Sequence, residues 1–195
     1  MYKQLFVILL SLVLLGAGCN IFKAETKDNI TAEVKQEQLI KKEASDKEGE
    51  LYKVVRVTDG DTVVVDINGV SEKIRLIGID TPETVDPRKP VQCFGIEASN
   101  KAKELLSDRE VILEKDESQG NKDKYNRLLR YVKTKEGLFY NLEIIKQGYA
   151  HEYTYDIPYK YQKEFKEAED YARTNKLGLW ADDTCSGERT ATSTQ

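Results

Sequence analysis

From residue 51 onward, apolar and polar positions alternate in short runs parted by turn residues, the pattern of strands lining a small core. Leu51 to Thr58 predicts a first strand, with Val54, Val55 and Val57 as its apolar content. Asp59-Gly60-Asp61 is a turn whose glycine is free to take a positive φ. Thr62 to Ile67 is a second, β-branched run, and Asn68-Gly69 after it is the strongest hairpin signal in the chain. The next run, Lys73 to Ile79, is apolar at Ile74, Leu76, Ile77 and Ile79, then ends abruptly in Asp80, Thr81 and Glu83 around Pro82. These three strands form a meander. Because the third runs antiparallel to the second, Asp80 returns to the end at which Asp61 begins the second strand. Arg75 lies five residues before Asp80 and reaches the same rim only if the sheet curves or the side chain extends along it.

After a loop with Pro82, Pro87 and Pro90, Ile96 to Leu106 repeats apolar residues at helical spacing. Glu110 to Lys115 reads as a strand, Glu117 to Asn126 as a polar loop, and Arg127 to Lys133 as a last long strand. Leu138 to Gly148 reads as a helix, with Asn141 as a candidate cap and Gly148 as its stop. Tyr159 to Arg173 is an amphipathic helix starting after Pro158, and Gly178-Leu179-Trp180 closes the core. Five strands and about three α-helices, without repeats or a parallel βαβ pattern, predict an α+β fold. Its centre is a five-stranded Greek-key β-barrel of the OB type, packed with the helices.

Residues 1–18 are a different material. Lys3 precedes an apolar run from Leu5 to Leu15, broken only by Ser11, and Gly16-Ala17-Gly18 leads into Cys19. That is a secretory signal, too short for a comfortable membrane span. Its end resembles the lipobox of bacterial lipoproteins, with Gly16 where that pattern has Leu. The resemblance implies an exported, cell-membrane lipoprotein anchored through a lipidated Cys19; a plainly secreted chain is the alternative. Residues 19–50 are rich in Lys, Glu, Asp and Gln and predict a charged flexible tether. The folded domain is expected over residues 51–183, with a tail over 184–195.

Of the three cysteines, Cys93 and Cys185 remain once Cys19 is set aside. In an oxidising compartment they have one intramolecular pairing, which ties the tail to the loop after Glu83; two free buried thiols are the alternative. His151 is the single histidine, expected at the surface, so chemistry built on two histidines is excluded. The polar candidates are Asp61, Asp80 and Glu83, the arginines Arg75 and Arg127, and the loop Asp123-Lys124-Tyr125. Carboxylate and carbonyl oxygens suit a hard divalent cation such as calcium, and there is no His or Cys cluster for zinc. Arginines beside such an ion suit phosphate, which they grip bidentately.

Val-Thr-Asp-Gly-Asp-Thr-Val (57–63), Arg-Leu-Ile-Gly-Ile-Asp-Thr-Pro-Glu (75–83), Phe-Gly-Ile-Glu-Ala (94–98), Asp-Lys-Tyr-Asn-Arg (123–127) and Gly-Leu-Trp (178–180) occur in that order. Together they resemble the staphylococcal nuclease, or thermonuclease, family. The resemblance implies that Asp61 and Asp80 bind Ca²⁺ by carboxylate and Thr81 by its carbonyl oxygen. It makes Glu83 the general base, and has Arg75 and Arg127 bind the scissile phosphate. The implied reaction cleaves the bond to the 5′ oxygen of DNA and RNA, preferably single-stranded, leaving 3′-phosphate ends, and the implied state is a monomer. Lys124 and Tyr125 match positions holding a terminal phosphate. Tyr153 and Tyr155 match aromatics beside the nucleotide, base stacking and simple packing both remaining open for them. Asp59 is expected to shape the turn or support the ligands.

Two departures bear on activity. Asn126 replaces the family's glycine before Arg127, and asparagine tolerates a left-handed backbone better than most residues. The chain is acidic, with 30 Lys plus Arg against 34 Asp plus Glu and a net charge of -4, whereas a nucleic-acid binder is ordinarily basic. A local basic face around Lys124, Arg127 and Arg130 is expected to offset this, with weaker and more salt-sensitive substrate binding. The competing reading is a catalytically weak or inactive nuclease-like surface module that binds nucleic acid or a protein partner.

Overall fold

Alternating burial along β1 (Leu51–Val57), with Tyr52, Val54 and Val57 inward and Leu51, Lys53, Val55 and Arg56 outward, shows how the predicted strands are used. The structure is a computed structural model and describes residues 49–84 and 91–188. The predicted signal with Cys19, nearly all of the tether, Pro87, Pro90 and the last seven residues lie outside the described residues. β2 (Thr62–Ile67) and β3 (Val70–Leu76) complete the meander across the Asn68-Gly69 turn, and β5 (Glu110–Glu114) and β6 (Leu128–Thr134) follow the first helix. The five close into a barrel in the order β1-β2-β3-β6-β5, antiparallel at every seam except β3 with β6. A register shift between Val54 and Arg56 marks a bulge in β1, the device by which a strand bends to close a barrel. The expected five-stranded OB-type barrel with three α-helices is therefore borne out.

Among the described residues the helices are α1 (Gly95–Leu106), α2 (Tyr140–Lys146) and α3 (Gln162–Thr174), with a 3₁₀ turn at Gly178–Trp180. Their apolar faces cover the barrel through Ala102, Leu106, Ile144, Ile145 and Phe165, all with no solvent exposure. Tyr131, Phe139, Tyr161 and Phe165 meet mostly edge to face, with centroids 4.8 to 6.2 Å apart, the arrangement ring quadrupoles favour. Cys93 and Cys185 are joined in a disulfide across 92 positions of sequence. By loop-closure entropy such a bridge contributes roughly 2 to 4 kcal/mol.

Three expectations are corrected. The run Lys73 to Ile79 is not one strand: at Gly78 (φ 78°) the chain turns, and Ile79–Asp80 becomes a short β4 paired with β7 (His151–Glu152). The Gly78 Cα packs so closely under Tyr159 and Phe165 that a Cβ there would stand 2.7 Å from both rings. Asn141 is not a cap but lies inside α2, fully buried, where its amide accepts from Val132 N–H and donates to Ile77 O. His151 is buried rather than on the surface, held between Trp180, whose ring it meets edge to face, and the Glu169 carboxylate 3.7 Å away.

A buried carboxylate ties the entry to α3 onto the barrel. Asp116, only 3% exposed, accepts from Tyr131 Oη, Lys160 N–H and both N–H and Oγ of Ser118. Burial alone would push its pKa up, but those bonds outweigh it and hold the carboxyl below the ordinary value of 3.8. A depressed folded-state pKa means that this stabilisation is complete above the unfolded value and is lost as pH falls through the folded one. Acidification below about pH 4 is therefore expected to cost the wild type more stability than Asp116→Asn, itself the weaker variant at pH 7. Urea midpoints at pH 7 and pH 3 measure this; equal losses in the two proteins would remove Asp116 from the account.

Candidate active site

The rim at the start of β2 and the end of β3 is built around the Arg75 guanidinium. Thr62 faces Arg75 in the β2–β3 register, so Asp61 and Arg75 emerge side by side. Leu76 N–H donates to Asp61 O at 2.9 Å and extends that pairing by one residue. Beyond Leu76 the chain turns at Gly78 and wraps the guanidinium. Nη1 donates to Leu76 O at 2.7 Å and Ile79 O at 2.8 Å, while Nη2 lies 3.2 Å from Asp61 Oδ2 and 3.4 Å from Asp80 Oδ1. The side chain thus reaches the rim because the backbone curls back around it. Thr81, 7% exposed, donates its N–H to Asp61 Oδ2 at 3.3 Å.

The Asp59-Gly60-Asp61 turn is fixed from below. Gly60 O accepts a 2.7 Å hydrogen bond from Tyr140 Oη at the start of α2, inside the core. A Cβ at Gly60 would stand 2.4 Å from Thr81 Cγ2, so only glycine allows the turn to approach Thr81 this closely. Asp59 Oδ1 accepts from Asp61 N–H. Burial first, then the negative charge of Asp61 and, further down, of Glu83, push Asp59 up to about 7. Burial likewise drives the Tyr140 hydroxyl well above its ordinary pKa, with the charges of Asp61 and Asp59 adding to it, so it stays a neutral donor.

Arg127 is placed by a different device. Asp123 accepts from Arg127 N–H and Tyr125 N–H through Oδ1, both at 2.9 Å, and from Arg127 Nε and Nη2 through Oδ2, both at 2.7 Å. Burial would raise the Asp123 pKa, but the hydrogen bonds and charge of Arg127 outweigh it, so the carboxylate stays ionised at neutral pH. Asn126 adopts the left-handed backbone, φ 65°, that a glycine would take without strain. Arg127 Nη1 then reaches Thr62 Oγ1 at 3.4 Å, and that hydroxyl donates to Asp61 Oδ1 at 2.8 Å. A continuous chain of polar contacts therefore joins Arg127, Thr62, Asp61, Arg75 and Asp80.

A cleft of about 570 Å³ opens over this rim, lined by Arg75, Asp80, Lys124, Tyr125, Arg127, Tyr153 and Tyr155 among others. Tyr125 and Tyr155 are 68% and 74% exposed and Tyr153 37%, and the rings of Tyr153 and Tyr155 lie 6.3 Å apart. Lys124 Nζ and the Arg127 guanidinium stand 5.2 and 5.4 Å from the Tyr125 ring. Glu83 is half-buried, just beyond Pro82. Arg130 is corrected: it is 2% exposed and bonded to Asn121 and Leu129 O, so it does not belong to a basic face. Residues missed in the sequence are Tyr140, Thr62 and the gripping role of Asp123; an aspartate four residues before an arginine is the only signal among them.

Among the described residues, no group of three or more His, Cys, Asp or Glu is arranged as a complete metal site. The donor set nevertheless fits a hard cation. Asp61 and Asp80 both turn a carboxylate oxygen toward one guanidinium, so two hard oxygen donors converge at one point of the rim. Asp61 and Asp80, with the Thr81 carbonyl, are the residues that would hold it.

The staphylococcal nuclease homologue family model matches residues 73–182, which include the candidates from Arg75 to Tyr155 but not Asp59, Asp61 or Thr62. The thermonuclease of Staphylococcus hyicus is 43% identical over 130 residues, 67% of this chain and 75% of that protein. The thermonuclease of Staphylococcus intermedius is 43% identical over 140 residues, 72% of this chain and 82% of its own. Endonuclease YncB of Bacillus subtilis is 34% identical over 192 residues, covering 91% of this chain and 90% of that one.

Removing the Tyr140 hydroxyl tests how the acidic turn is held. Tyr140→Phe leaves the buried Gly60 carbonyl without its donor and is expected to cost about 1 to 3 kcal/mol of stability, read from urea denaturation. An unchanged midpoint would show that the turn is fixed without it.

Proposed function

The chain belongs to the staphylococcal nuclease family, and on that footing we propose that it is a Ca²⁺-dependent nuclease hydrolysing phosphodiester bonds of DNA and RNA. The observation that carries the reading is the contact chain from Arg127 through Thr62 and Asp61 to Arg75 and Asp80. It brings two arginines and two carboxylates together at the rim, where Arg75, Arg127 and Asp80 line one cleft. Bound between Asp61, Asp80 and the Thr81 carbonyl, Ca²⁺ would supply Lewis acidity toward a phosphate oxygen. Arg75 and Arg127 bind that phosphate and stabilise the charge that grows on it, and Glu83 takes the proton of the attacking water. Breaking the bond to the 5′ oxygen leaves a 3′-phosphate end and a 5′-hydroxyl, the departing oxygen taking up a proton from solvent. The exposed Tyr125, Tyr153 and Tyr155 with Lys124 offer stacking faces and a cation to an unpaired strand, which favours single-stranded substrate.

We further propose that the protein works outside the cell as a monomer, held at the membrane by a lipidated Cys19. The apolar run ending in Gly16-Ala17-Gly18-Cys19 supports that reading, and so does the Cys93–Cys185 bridge, a bond that persists in oxidising compartments. A mature chain beginning at an acylated Cys19, seen by intact mass, is the expected result; an unacylated chain starting elsewhere overturns the anchor.

Hydrolysis of single-stranded DNA is expected with Ca²⁺ and not with chelator. It should fall steeply between low and physiological salt, and by about 10² or more in Glu83→Ser and in Arg75→Ala. A flat salt response would refute the weak-binding expectation. Absence of cleavage by a folded, Ca²⁺-loaded wild type would favour the inactive surface module instead.

A further inference from the structure

Glu83 sits in a stretch with neither helix nor strand, so its backbone has no ladder to hold it. It is held instead by a reciprocal pair of hydrogen bonds that none of the roles above uses. Glu83 N–H donates to Gln92 Oε1 at 2.8 Å, and Gln92 N–H donates to Glu83 O at 2.9 Å. Since the partner is a backbone N–H, the acceptor must be the amide oxygen of Gln92 and not its nitrogen.

Gln92 is anchored on its far side. The next residue, Cys93, is bonded to Cys185, which is 5% exposed and follows the turn after Trp180. Phe94 takes a left-handed backbone and packs on Tyr149 at 5.3 Å, and Gly95 N–H returns to Gln92 O at 3.0 Å. Gly95 lies close against the segment it supports: a Cβ there would stand 2.7 Å from Thr84 Cγ2 and 3.2 Å from the carbonyls of Pro82 and Glu83. The Glu83 backbone is thus clamped from the start of α1, and the disulfide fixes that start to the C-terminal turns.

We propose that Gln92 is a positioning residue for the Glu83 carboxylate, kept in register by the Cys93–Cys185 bridge. This rests on the reading of Glu83 as the base. Gln92 bonds the backbone of Glu83, so it governs where the carboxylate stands, and a small misplacement of such a group is enough to slow a reaction strongly. Ground-state binding of the nucleic acid, made by the arginines and tyrosines across the cleft, does not depend on it.

The test uses steady-state kinetics on the full chain with single-stranded DNA and Ca²⁺. Gln92→Ala is expected to lower kcat about tenfold with KM changed less than about twofold. Gln92→Glu, which keeps an acceptor oxygen in place, should restore most of the rate. In a Glu83→Gln background, Gln92→Ala should slow the residual rate no further, because a residue acting only through the carboxylate has nothing left to position. The double variant Cys93→Ser with Cys185→Ser, assayed where it is folded by circular dichroism, should show the same loss in kcat alone. Equal losses in the two Glu83 backgrounds, or a wild-type rate in Gln92→Ala, would overturn the positioning role. A wild-type rate in the bridge variant would overturn the part given to the disulfide. A wild-type rate in Glu83→Gln alone would overturn the reading of Glu83, and the proposal with it, without reference to Gln92.

Discussion

The guanidinium of Arg75 organises the rim of the barrel, with carbonyls accepting from one side of its fork and carboxylates facing the other. Leu76 O and Ile79 O lie against Nη1, Asp61 and Asp80 against Nη2, and the side chain is only 14% exposed. A cation so placed compensates the carbonyls left over where β3 breaks at Gly78, and lets two aspartates converge without mutual repulsion prevailing. The same group that makes the turn possible is therefore part of the candidate chemistry. Its loss would be felt first in the backbone and only then in any ligand.

Rigidity at that rim comes from α2, through two adjacent residues. Tyr140 reaches across to Gly60 O, and Asn141 bridges Val132 N–H and Ile77 O, so one helical turn pins the start of β2, the end of β3 and the middle of β6. Both side chains are fully buried, where an unmade hydrogen bond is costly and a made one specifies a single arrangement. The barrel supplies the surface, and these two residues decide how its rim is set.

The meander, the hairpin turn and the convergence of Asp61 with Asp80 were legible because each depends on local pattern: alternation, Asn-Gly, and the antiparallel return of one strand on another. The family and its barrel were legible because several short blocks occur in one order. What escaped depends on contacts distant in sequence. Asn141 has the composition of a cap, and only a partner 64 residues away turns it into a core bracket. His151 is buried because Trp180 and Glu169 close over it, and Arg130 because Asn121 supplies acceptors; neither side chain announces this in its neighbourhood. Strand β4 is two residues long and exists through its partner β7, which no periodicity could have indicated.

The two arginines that face the cleft are held in opposite ways, and the difference says which of them can follow a substrate. Arg75 is enclosed by backbone carbonyls on a closed barrel, so its position is as fixed as the strands. Arg127 hangs from a single carboxylate, Asp123, in a loop whose turn depends on a left-handed Asn126. Because Asp123 grips the Nε and Nη2 edge, Nη1 is turned toward Thr62 and the carboxylate pair, and the guanidinium is aimed without being enclosed. An acidic chain cannot rely on a broad positive surface to gather phosphate, and with Arg130 buried the basic contribution narrows to groups of this kind.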